Sequence, residues 1–278
     1  MNVTVCDGVV VVCSVCKSPL ERRCDSIFCP RCRREFLQKS EKFINLLPED
    51  KLQEKNFNSW QIRQGHFLGW NKKIMNEALA SEVRSLYDEF SEYTGKIKGL
   101  TLDVGCADCK MNSYLKQTRY IGIDPYEGWI LENRPAYMEK IYPIDKNNLV
   151  FIRGFGEYLP FGSGVFDNVI ISNALDHSSS FYDMLEEAAR VLKSSGGLYL
   201  MHEKPGLMNK IARKTLSRIY QSIKRRFKQY VLIGYFKSPH IKISEEELEK
   251  WLRRYFEFES KLSDKHPHIF YRSIKKSP

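Results

Sequence analysis

Four cysteines near the start of the chain have the residue type and spacing of a metal site. Two residues separate Cys13 from Cys16, and Cys29 and Cys32 repeat this spacing after twelve intervening residues. A two-residue gap lets both sulfurs of one turn face the same ion, and two such turns complete the tetrahedron that Zn²⁺ prefers. Four thiolates leave no open coordination position, so we predict a structural zinc site rather than a catalytic one.

A second group of residues has the pattern of a nucleoside site. Asp103 and Gly105 begin a loop of small residues that includes Ala107, and Asp124 ends the next apolar run, 21 residues after Asp103. Small residues let a backbone approach a ligand, and a carboxylate at this position accepts hydrogen bonds from ribose hydroxyls. From these residues alone, a dinucleotide and S-adenosylmethionine both remain open.

Short apolar runs alternate with helical stretches from residue 100 onward, which predicts a doubly wound, Rossmann-like α/β fold with a parallel sheet. Ser244 and Glu247 form a capping box that begins a further helix. Seven strands are expected, at about 100–104, 119–124, 149–153, 166–172 and 196–203, with an antiparallel hairpin near 255–262 and 268–274. Ligands of such sheets bind outside the carboxyl ends of the strands, where the loop residues and Asp124 lie.

The chain of 278 residues is long enough for one large core and a small additional module. We predict a zinc ribbon at 1–48, a helical segment at 49–98 and the α/β domain at 99–278. Within 49–98, apolar residues recur at helical spacing from Ile74 to Phe90, after an aromatic-rich stretch that contains Trp60 and Trp70. Compact packing at a domain junction explains that stretch more simply than a ligand pocket.

Four sequence motifs in the α/β domain resemble those of class I S-adenosylmethionine-dependent methyltransferases, especially the type-11 group. They are LDVGCADCK, YIGIDPY, FIRGFGEYLPFGSGVFDNVIISNALDH and AARVLKSSGGLYLMHE. The resemblance is close over about 100–203 and looser over 244–278. It implies a seven-stranded methyltransferase sheet and S-adenosylmethionine as the cofactor.

The resemblance also implies roles for individual residues. Asp103, Gly105 and Ala107 would contact the methionine part of the cofactor, and Asp124 would hold its ribose. Gly156 and Glu157 would lie beside the adenine, and Asn173 would lie where the methyl group is transferred. Two glycines of the usual loop are replaced by Ala107 and Cys109, and Phe155 replaces a common aspartate. Cys106 and Cys109 are interpreted as small loop residues rather than a redox pair.

Methyl transfer requires an in-line approach of the acceptor and, for a hydroxyl or protonated amine, a base. His177 is the first candidate for that base, and a histidine that only packs at the start of the next helix is the competing interpretation. His202 and Glu203, at the end of the fifth strand, are second candidates.

The first cysteine module resembles the zinc ribbon of bacterial rRNA guanine methyltransferases and the small zinc-ribbon proteins that activate other methyltransferases. Its motif series is CSVCKSPL, FCPRCRREF and FINLLPED. The ribbon favours a macromolecular acceptor, whereas the LDH sequence at 175–177 and the type-11 motifs favour a small molecule, a lipid or a sugar. We favour a small-molecule, lipid-linked or sugar acceptor, with RNA as the alternative acceptor. An inactive methyltransferase scaffold that binds RNA through zinc is the alternative from a different class.

The net charge of +10 is concentrated in residues 204–244, which hold eleven Lys or Arg and no Asp or Glu. Its apolar residues keep helical spacing, so we predict a basic amphipathic insertion near the acceptor site. Such an insertion suits an anionic membrane surface, RNA phosphates or a lid over the pocket. We expect no DNA partner. The absence of a signal-like or membrane-spanning run in the sequence predicts a cytoplasmic enzyme, with peripheral association with a membrane as the alternative location.

Overall fold

A large mostly parallel sheet organises the chain. The computed structural model describes residues 3–5, 8–38, 43–48, 50, 77–116, 118–125, 136–204, 241 and 243–277. The strands of the sheet are β6 (Phe43–Asn45), β7 (Gly99–Val104), β8 (Thr118–Asp124), β9 (Leu149–Arg153), β10 (Phe166–Ser172), β11 (Leu192–Glu203), β12 (Phe256–Leu262) and β13 (His268–Lys275). Their spatial order in the described part of the chain is β12-β13-β11-β10-β7-β8-β9-β6.

The predicted doubly wound α/β fold is confirmed. Strands β7 to β11 pair in parallel with their neighbours, and β13 runs antiparallel to both β11 and β12. The interior strands are buried on both faces, as the adjacent residues Val169 and Ile170 of β10 show, because helices cover a parallel sheet from both sides. Strand β11 begins four residues before the predicted position, since Leu192 pairs with Phe166 ahead of a register shift.

The described sheet contains one strand more than the seven expected. Strand β6 lies within the segment predicted as zinc ribbon, yet it pairs in parallel with β9, through Ile44 opposite Ile152. Phe43 stacks on Phe151, with ring centroids 5.5 Å apart. The end of the first 48 residues is therefore part of the large sheet, because the three buried residues of β6 cover an otherwise open edge.

Four helices complete the described domain: α1 (Glu77–Thr94), α2 (Ala136–Ile141), α3 (Phe181–Val191) and α4 (Glu245–Tyr255). Ser180 caps α3, and Ser244 caps α4 by accepting a hydrogen bond from the backbone N–H of Glu247, as the capping box predicts. Helix α1 is the amphipathic helix expected within 49–98, with Leu86 and Phe90 buried against the sheet. Trp60, His66, Phe67 and Trp70 lie outside the described residues.

The first module consists of short strands. β1 (Thr4–Val5) and β2 (Val9–Val10) form one antiparallel pair, and β3 (Glu21–Arg22), β4 (Ser26–Phe28) and β5 (Glu35–Leu37) form a three-stranded antiparallel sheet. Strands of two or three residues bury little surface, so their own pairing stabilises the module only weakly.

Candidate functional site

The loop after β7 places its backbone against the end of β8 and the start of the loop after β10. Gly105 has a φ of +70°, and its N–H donates to the carbonyl of Ile123 at 2.8 Å. A Cβ at Gly105 would collide with the Cβ of Ala174. Glycine is required here for both reasons, and the close approach brings the ends of β7 and β10 together.

Two other residues of this loop adopt the conformation that glycine prefers. Ala107 has a φ of +47° and Cys109 a φ of +56°. These are the two positions where the methyltransferase loop usually carries glycine, so the backbone shape is kept although the residue types differ. The left-handed conformation costs a residue with a Cβ roughly 1 kcal/mol.

The predicted ribose-binding residue, Asp124, lies at the end of β8 and is buried. Its Oδ2 accepts a hydrogen bond from the N–H of Ala107 at 3.0 Å, which joins the loop to the second strand. A carboxylate can accept several hydrogen bonds, so this contact positions the Asp124 side chain and leaves it able to accept hydrogen bonds from a ligand.

Asp103 carries a buried carboxylate at the end of β7. The hydroxyl of Tyr120 donates to its Oδ2 at 2.5 Å, whereas Oδ1 is buried and has no hydrogen-bond partner in the described part of the chain. Burial raises the pKa of Asp103 to about 7, and the nearby carboxylate of Asp124 acts in the same direction. A buried oxygen without a partner is costly, and a ligand with a donor or a positive charge would satisfy it.

The stretch predicted to lie beside the adenine forms a short 3-10 helix, Gly156–Tyr158. A Cβ at Gly156 would lie 2.7 Å from both Val104 and Met184, so only glycine fits there. Glu157 is buried, and its Oε1 accepts from the N–H of Ser179 at 2.7 Å and from its hydroxyl at 2.9 Å. Burial raises the pKa of Glu157. In this structure Glu157 holds the loop before α3.

Of the three proposed catalytic residues, Asn173 and His177 follow β10, whereas His202 lies within β11. Asn173, which has a φ of +51°, comes directly after β10, and half-buried His177 ends the 3-10 helix Leu175–His177. His202 alternates with Met201 along β11 and lies on the opposite face of the sheet, near Ile243 and Asp176. Burial lowers the pKa of His202.

Two residues that sequence reasoning did not assign to the site lie at this edge. His268 begins β13, and its Nε2 is 3.2 Å from the Nδ2 of Asn173. Tyr87, on α1, accepts a hydrogen bond from the hydroxyl of Ser172 at 3.0 Å. Tyr87 lies within the pattern of apolar residues at helical spacing from Ile74 to Phe90, which predicts packing rather than a role in the site. The His266-Pro267-His268 sequence, which leads into the last predicted strand, is the available signal for His268, but the antiparallel pairing with β11 is needed to bring it beside Asn173.

The four predicted metal ligands form one cluster. Their sulfur atoms all lie within 4.8 Å of one another, with Cys13 and Cys32 3.6 Å apart and Cys16 and Cys29 3.4 Å apart. A tetrahedral zinc with Zn–S bonds of about 2.3 Å places sulfurs about 3.8 Å apart. The donor set and its spacing therefore fit Zn²⁺.

The first cysteine turn of this cluster packs on the α/β domain through Lys17. Its ammonium donates to the carbonyl of Leu159 at 2.9 Å and pairs with the carboxylate of Glu187, on α3, at 2.7 Å. Arg190 pairs with the same carboxylate at 2.6 Å. Burial opposes ionisation of Glu187, but hydrogen bonds from Arg190 and Lys17 hold its pKa below the usual value. The ribbon thus contacts the segment that follows the Gly156–Tyr158 turn.

The remaining cysteine pair, Cys106 and Cys109, is buried in the loop after β7. The two sulfurs are 3.5 Å apart, and both lie against Gly122, where a Cβ would come within 2.8 Å of Cys106 Sγ. Burial raises the pKa of Cys106 well above its usual value. The arrangement is that of packed thiols that fill space under the loop, since reactive cysteines need an exposed thiolate.

Most of the predicted basic insertion, residues 205–240 and 242, lies outside the described residues. Of its two ends, Lys204 pairs with Glu245 at 2.8 Å, and the N–H of Ile241 donates to the carbonyl of Asp176 at 3.0 Å. No helix in the described ranges has the length and hydropathy needed to cross a lipid bilayer.

Comparison with known proteins agrees with this geometry. Residues 102–200 match the family model described as a methyltransferase domain. The match runs from β7 into β11, so it includes the loop, Asp124 and Asn173. The chain therefore carries a methyltransferase domain, and its class is that of the S-adenosylmethionine-dependent methyltransferases. No curated protein matches the chain.

Solved structures resemble this chain at low sequence identity. The PH0226 protein of Pyrococcus horikoshii OT3 is 18% identical with a TM-score of 0.53, and the alignment covers 73% of this chain and 94% of that one. A SAM-dependent methyltransferase from Aquifex aeolicus is 16% identical with a TM-score of 0.45, over 72% of this chain and 98% of that one. At 18% identity, the likeness to the PH0226 protein supports the fold alone.

Proposed function

We propose that this methyltransferase transfers the methyl group of S-adenosylmethionine to a small-molecule, lipid-linked or sugar acceptor. The cofactor would lie across the carboxyl ends of β7 and β8. Its contacts would be the predicted ones: Asp103, Gly105, Ala107, Asp124, Gly156, Glu157 and Asn173.

The observation that carries the cofactor site is the buried Oδ1 of Asp103, which has no described hydrogen-bond partner. Asp108 and Asp124 add two more buried carboxylates to the same edge, and Lys110 pairs with Asp108. This excess of negative charge suits a cofactor with a sulfonium and an ammonium group, because opposite charges within a few ångströms attract strongly at low dielectric.

A small acceptor group is supported by the surroundings of Asn173. Its Oδ1 is buried, as is the Nδ1 of the adjacent His268. Polar atoms that are buried rather than spread over an open surface suit a narrow pocket that admits one functional group at a time. Methyl transfer itself needs that group held in line with the sulfonium methyl.

The reaction assigns different tasks to the residues of this edge. The carboxylates would hold the cationic cofactor, and Gly105 would let the loop backbone come close to it. Asn173 would position the acceptor, with His177 and His202 retained as candidate bases. His202 is the weaker of the two geometrically, since it lies on the face of the sheet that α3 and α4 cover, whereas His268 lies on the face that α1 covers.

The proposal also includes a structural Zn²⁺ held by Cys13, Cys16, Cys29 and Cys32. Zinc there would stabilise the fold of the short-stranded module, and no step of methyl transfer involves it. The contact of Lys17 with Leu159 and Glu187 would let the folded ribbon stabilise the segment after the Gly156–Tyr158 turn, which we assign to the cofactor site.

Calorimetry with S-adenosylmethionine and S-adenosylhomocysteine tests the cofactor site directly. We expect both compounds to bind the zinc-loaded protein, and Asp124→Ala to weaken binding at least tenfold. Exposed Asp264→Ala, on the turn before β13, is the matched control and should bind normally. Absence of binding by the wild type, or equal binding by Asp124→Ala, would refute the proposal.

The acceptor class is tested by incubating the protein with labelled S-adenosylmethionine and separate extracts of small molecules, lipids and RNA. Label in either of the first two extracts supports the proposal. Transfer to RNA alone favours the alternative acceptor, and salt-sensitive RNA binding without any transfer favours the inactive scaffold. Charge reversal at Arg225 and Arg226 shows whether residues 204–244 contribute to binding of RNA or anionic vesicles.

A further inference from the structure

Asn173 and His268 form a polar pair at the edge where β10 ends and β13 begins. The Nδ2 of Asn173 lies 3.2 Å from the Nε2 of His268. The other polar atom of each side chain, Oδ1 of Asn173 and Nδ1 of His268, is buried and has no hydrogen-bond partner among the described residues. The pair therefore has two buried polar atoms whose hydrogen-bonding capacity is not used by any described residue.

The hydrogen-bonding character of these two atoms follows from the contact between the side chains. If the Asn173 amide N–H donates to Nε2, then Nδ1 of His268 carries the ring proton and is a donor, while Oδ1 of Asn173 is an acceptor. If the amide is turned over, Nε2–H donates to the amide oxygen, Nδ1 becomes an acceptor and the amide nitrogen a donor. Either arrangement presents one donor and one acceptor.

The pair is electrically neutral near pH 7. Burial lowers the pKa of His268 to about 4, and the neighbouring rings of His266 and His202 act in the same direction, against the carboxylate of Asp176. A neutral buried site favours a neutral ligand group, because a buried charge needs an opposite charge nearby.

The position of the pair connects it to methyl transfer. Asn173 is followed by Ala174, whose Cβ occupies the space that a side chain on Gly105 would need. The pair is thus one residue away from the loop that we assign to the cofactor. On the same face, the hydroxyls of Tyr87 and Ser172 are hydrogen-bonded to each other.

We infer that the Asn173–His268 pair binds a neutral hydroxyl group of the methyl acceptor and that the enzyme is an O-methyltransferase. This inference rests on the proposed function. A hydroxyl donates one hydrogen bond and accepts others, and so matches one donor and one acceptor. A carboxylate or phosphate offers acceptors only, and an ammonium group offers donors only.

The transfer balances with these groups. The hydroxyl oxygen attacks the sulfonium methyl, the O–CH₃ bond forms as the S–CH₃ bond breaks, and the sulfur becomes the neutral thioether of S-adenosylhomocysteine. In the arrangement with Nε2–H, the hydroxyl proton passes to the free Nδ1 of His268. A protonated ether is far more acidic than an imidazolium ion, so a histidine with a lowered pKa still accepts this proton and then releases it to water.

Binding of simple probes to the full-length protein saturated with S-adenosylhomocysteine tests the pair. The probes are phenol, benzylamine and benzoate, which present a neutral hydroxyl, an ammonium and a carboxylate on similar rings. We expect phenol to bind best. Phenol binding should weaken at least tenfold in His268→Phe and in Asn173→Gly, which removes the amide while tolerating the positive φ. Preference for benzylamine or benzoate, or no binding of phenol, overturns the inference.

Two further variants separate hydrogen bonding from packing. His268→Gln keeps a donor and an acceptor and should retain part of the phenol affinity that His268→Phe loses. His266→Gln changes the same residue type two positions earlier and should bind phenol as the wild type does. Equal loss in His268→Gln and His268→Phe, or loss in His266→Gln, contradicts the assignment to this pair.

The methylated atom is identified with [methyl-¹³C]S-adenosylmethionine and the small-molecule, lipid and RNA extracts. The ¹³C chemical shift distinguishes O–CH₃ from N–CH₃, S–CH₃ and C–CH₃ in the product. An O–CH₃ signal that His268→Phe reduces supports the inference, and any other methyl type overturns it.

Failure of this inference and failure of the proposed function give different results. If S-adenosylhomocysteine does not bind the wild type, the proposed function is wrong. If it binds the wild type and His268→Phe equally, while phenol affinity is the same in both, the cofactor site stands and only the Asn173–His268 assignment is wrong.

Discussion

Two regions of this molecule contain the same Cys-X-X-Cys spacing and use it differently. In the ribbon, the turn at Cys13–Cys16 meets a second turn at Cys29–Cys32, and the four sulfurs lie within 4.8 Å of one another. In the loop after β7, the sulfurs of Cys106 and Cys109 are 3.5 Å apart and pack against Gly122. The spacing supplies two adjacent thiols, and only a second pair makes a tetrahedral site.

The two regions also differ in what stabilises them. The ribbon has strands of two or three residues, whereas the loop after β7 rests on strands that are buried on both faces. Buried apolar surface contributes about 25 cal/mol per Å², so the sheet can position its loop without a metal and the ribbon cannot rely on burial to the same degree. We therefore expect metal loss and ligand mutations to affect the ribbon far more than the loop.

The largest difference should appear on loss of a ribbon cysteine. Cys29→Ser removes one of four thiolates, and we expect zinc loss and destabilisation of the ribbon on the order of 4 kcal/mol, since metal binding and folding are coupled. Metal analysis and thermal unfolding measure both effects. Exposed Cys24→Ser and buried Cys106→Ala are the controls and should keep about one zinc per chain. If Cys29→Ser kept the zinc content and the unfolding temperature of the wild type, the ribbon cysteines would not be metal ligands and would not differ from Cys106 and Cys109 in this respect.

The contact between ribbon and domain should have the next largest effect. Lys17→Met keeps the length of the side chain but leaves the Leu159 carbonyl with Arg190 as its remaining donor and Glu187 with one cation fewer. We expect a loss of about 2 kcal/mol, because Glu187 is largely buried. Denaturant unfolding measures it, and Lys193→Met, at an exposed ion pair with Asp167, should change stability by less than about 1 kcal/mol. Equal effects would mean that the ribbon and the domain are stabilised independently.

The cofactor site should depend on pH through Asp103, whose pKa is raised to about 7 by burial. The cationic cofactor favours the ionised carboxylate, so binding must expel a proton at low pH, and affinity for S-adenosylmethionine should fall about tenfold from pH 8 to pH 6. Calorimetry at several pH values measures this, and Asp103→Asn should show a flat profile.

Without cofactor, Asp103 makes the stability of the folded protein depend on pH in the opposite direction from cofactor affinity. The unfolded carboxyl has a pKa of 3.8, and the folded one binds a proton up to about pH 7. Between these values the native state holds more protons, so the contribution of Asp103 to stability falls as pH rises. A cofactor affinity that rises on acidification would contradict the assignment of Asp103.

The smallest expected effect concerns the loop backbone. Ala107→Gly removes the Cβ of a residue with φ of +47° and should stabilise the protein by roughly 1 kcal/mol. The control is Ala188→Gly, within α3, which should destabilise it by about the same amount or more, because glycine weakens a helix. Thermal unfolding compares them, and destabilisation by Ala107→Gly would show that the loop conformation is not strained.

Much of the fold was predictable because it depends on local patterns. Continuous apolar runs predicted strands β7 to β10 within a residue or two, and Ser244 with Glu247 predicted the start of α4. Strand β6 was not predictable as part of the large sheet, since a three-residue strand after a cysteine module has no local sign of its partner, β9. The roles predicted for the cofactor residues and the base candidates stay predictions until binding is measured.

The sequence by itself determined the ligand types and the order of the elements: four thiols at metal spacing, a small-residue loop after the first apolar run and a carboxylate after the second. Side-chain chemistry and periodicity are local properties, so they can be read along the chain. Tertiary structure decided which groups meet across long separations. It placed His268 beside Asn173, on the other face from His202, because the antiparallel pairing of β13 with β11 sets the register, and a shift of one residue would exchange the two faces.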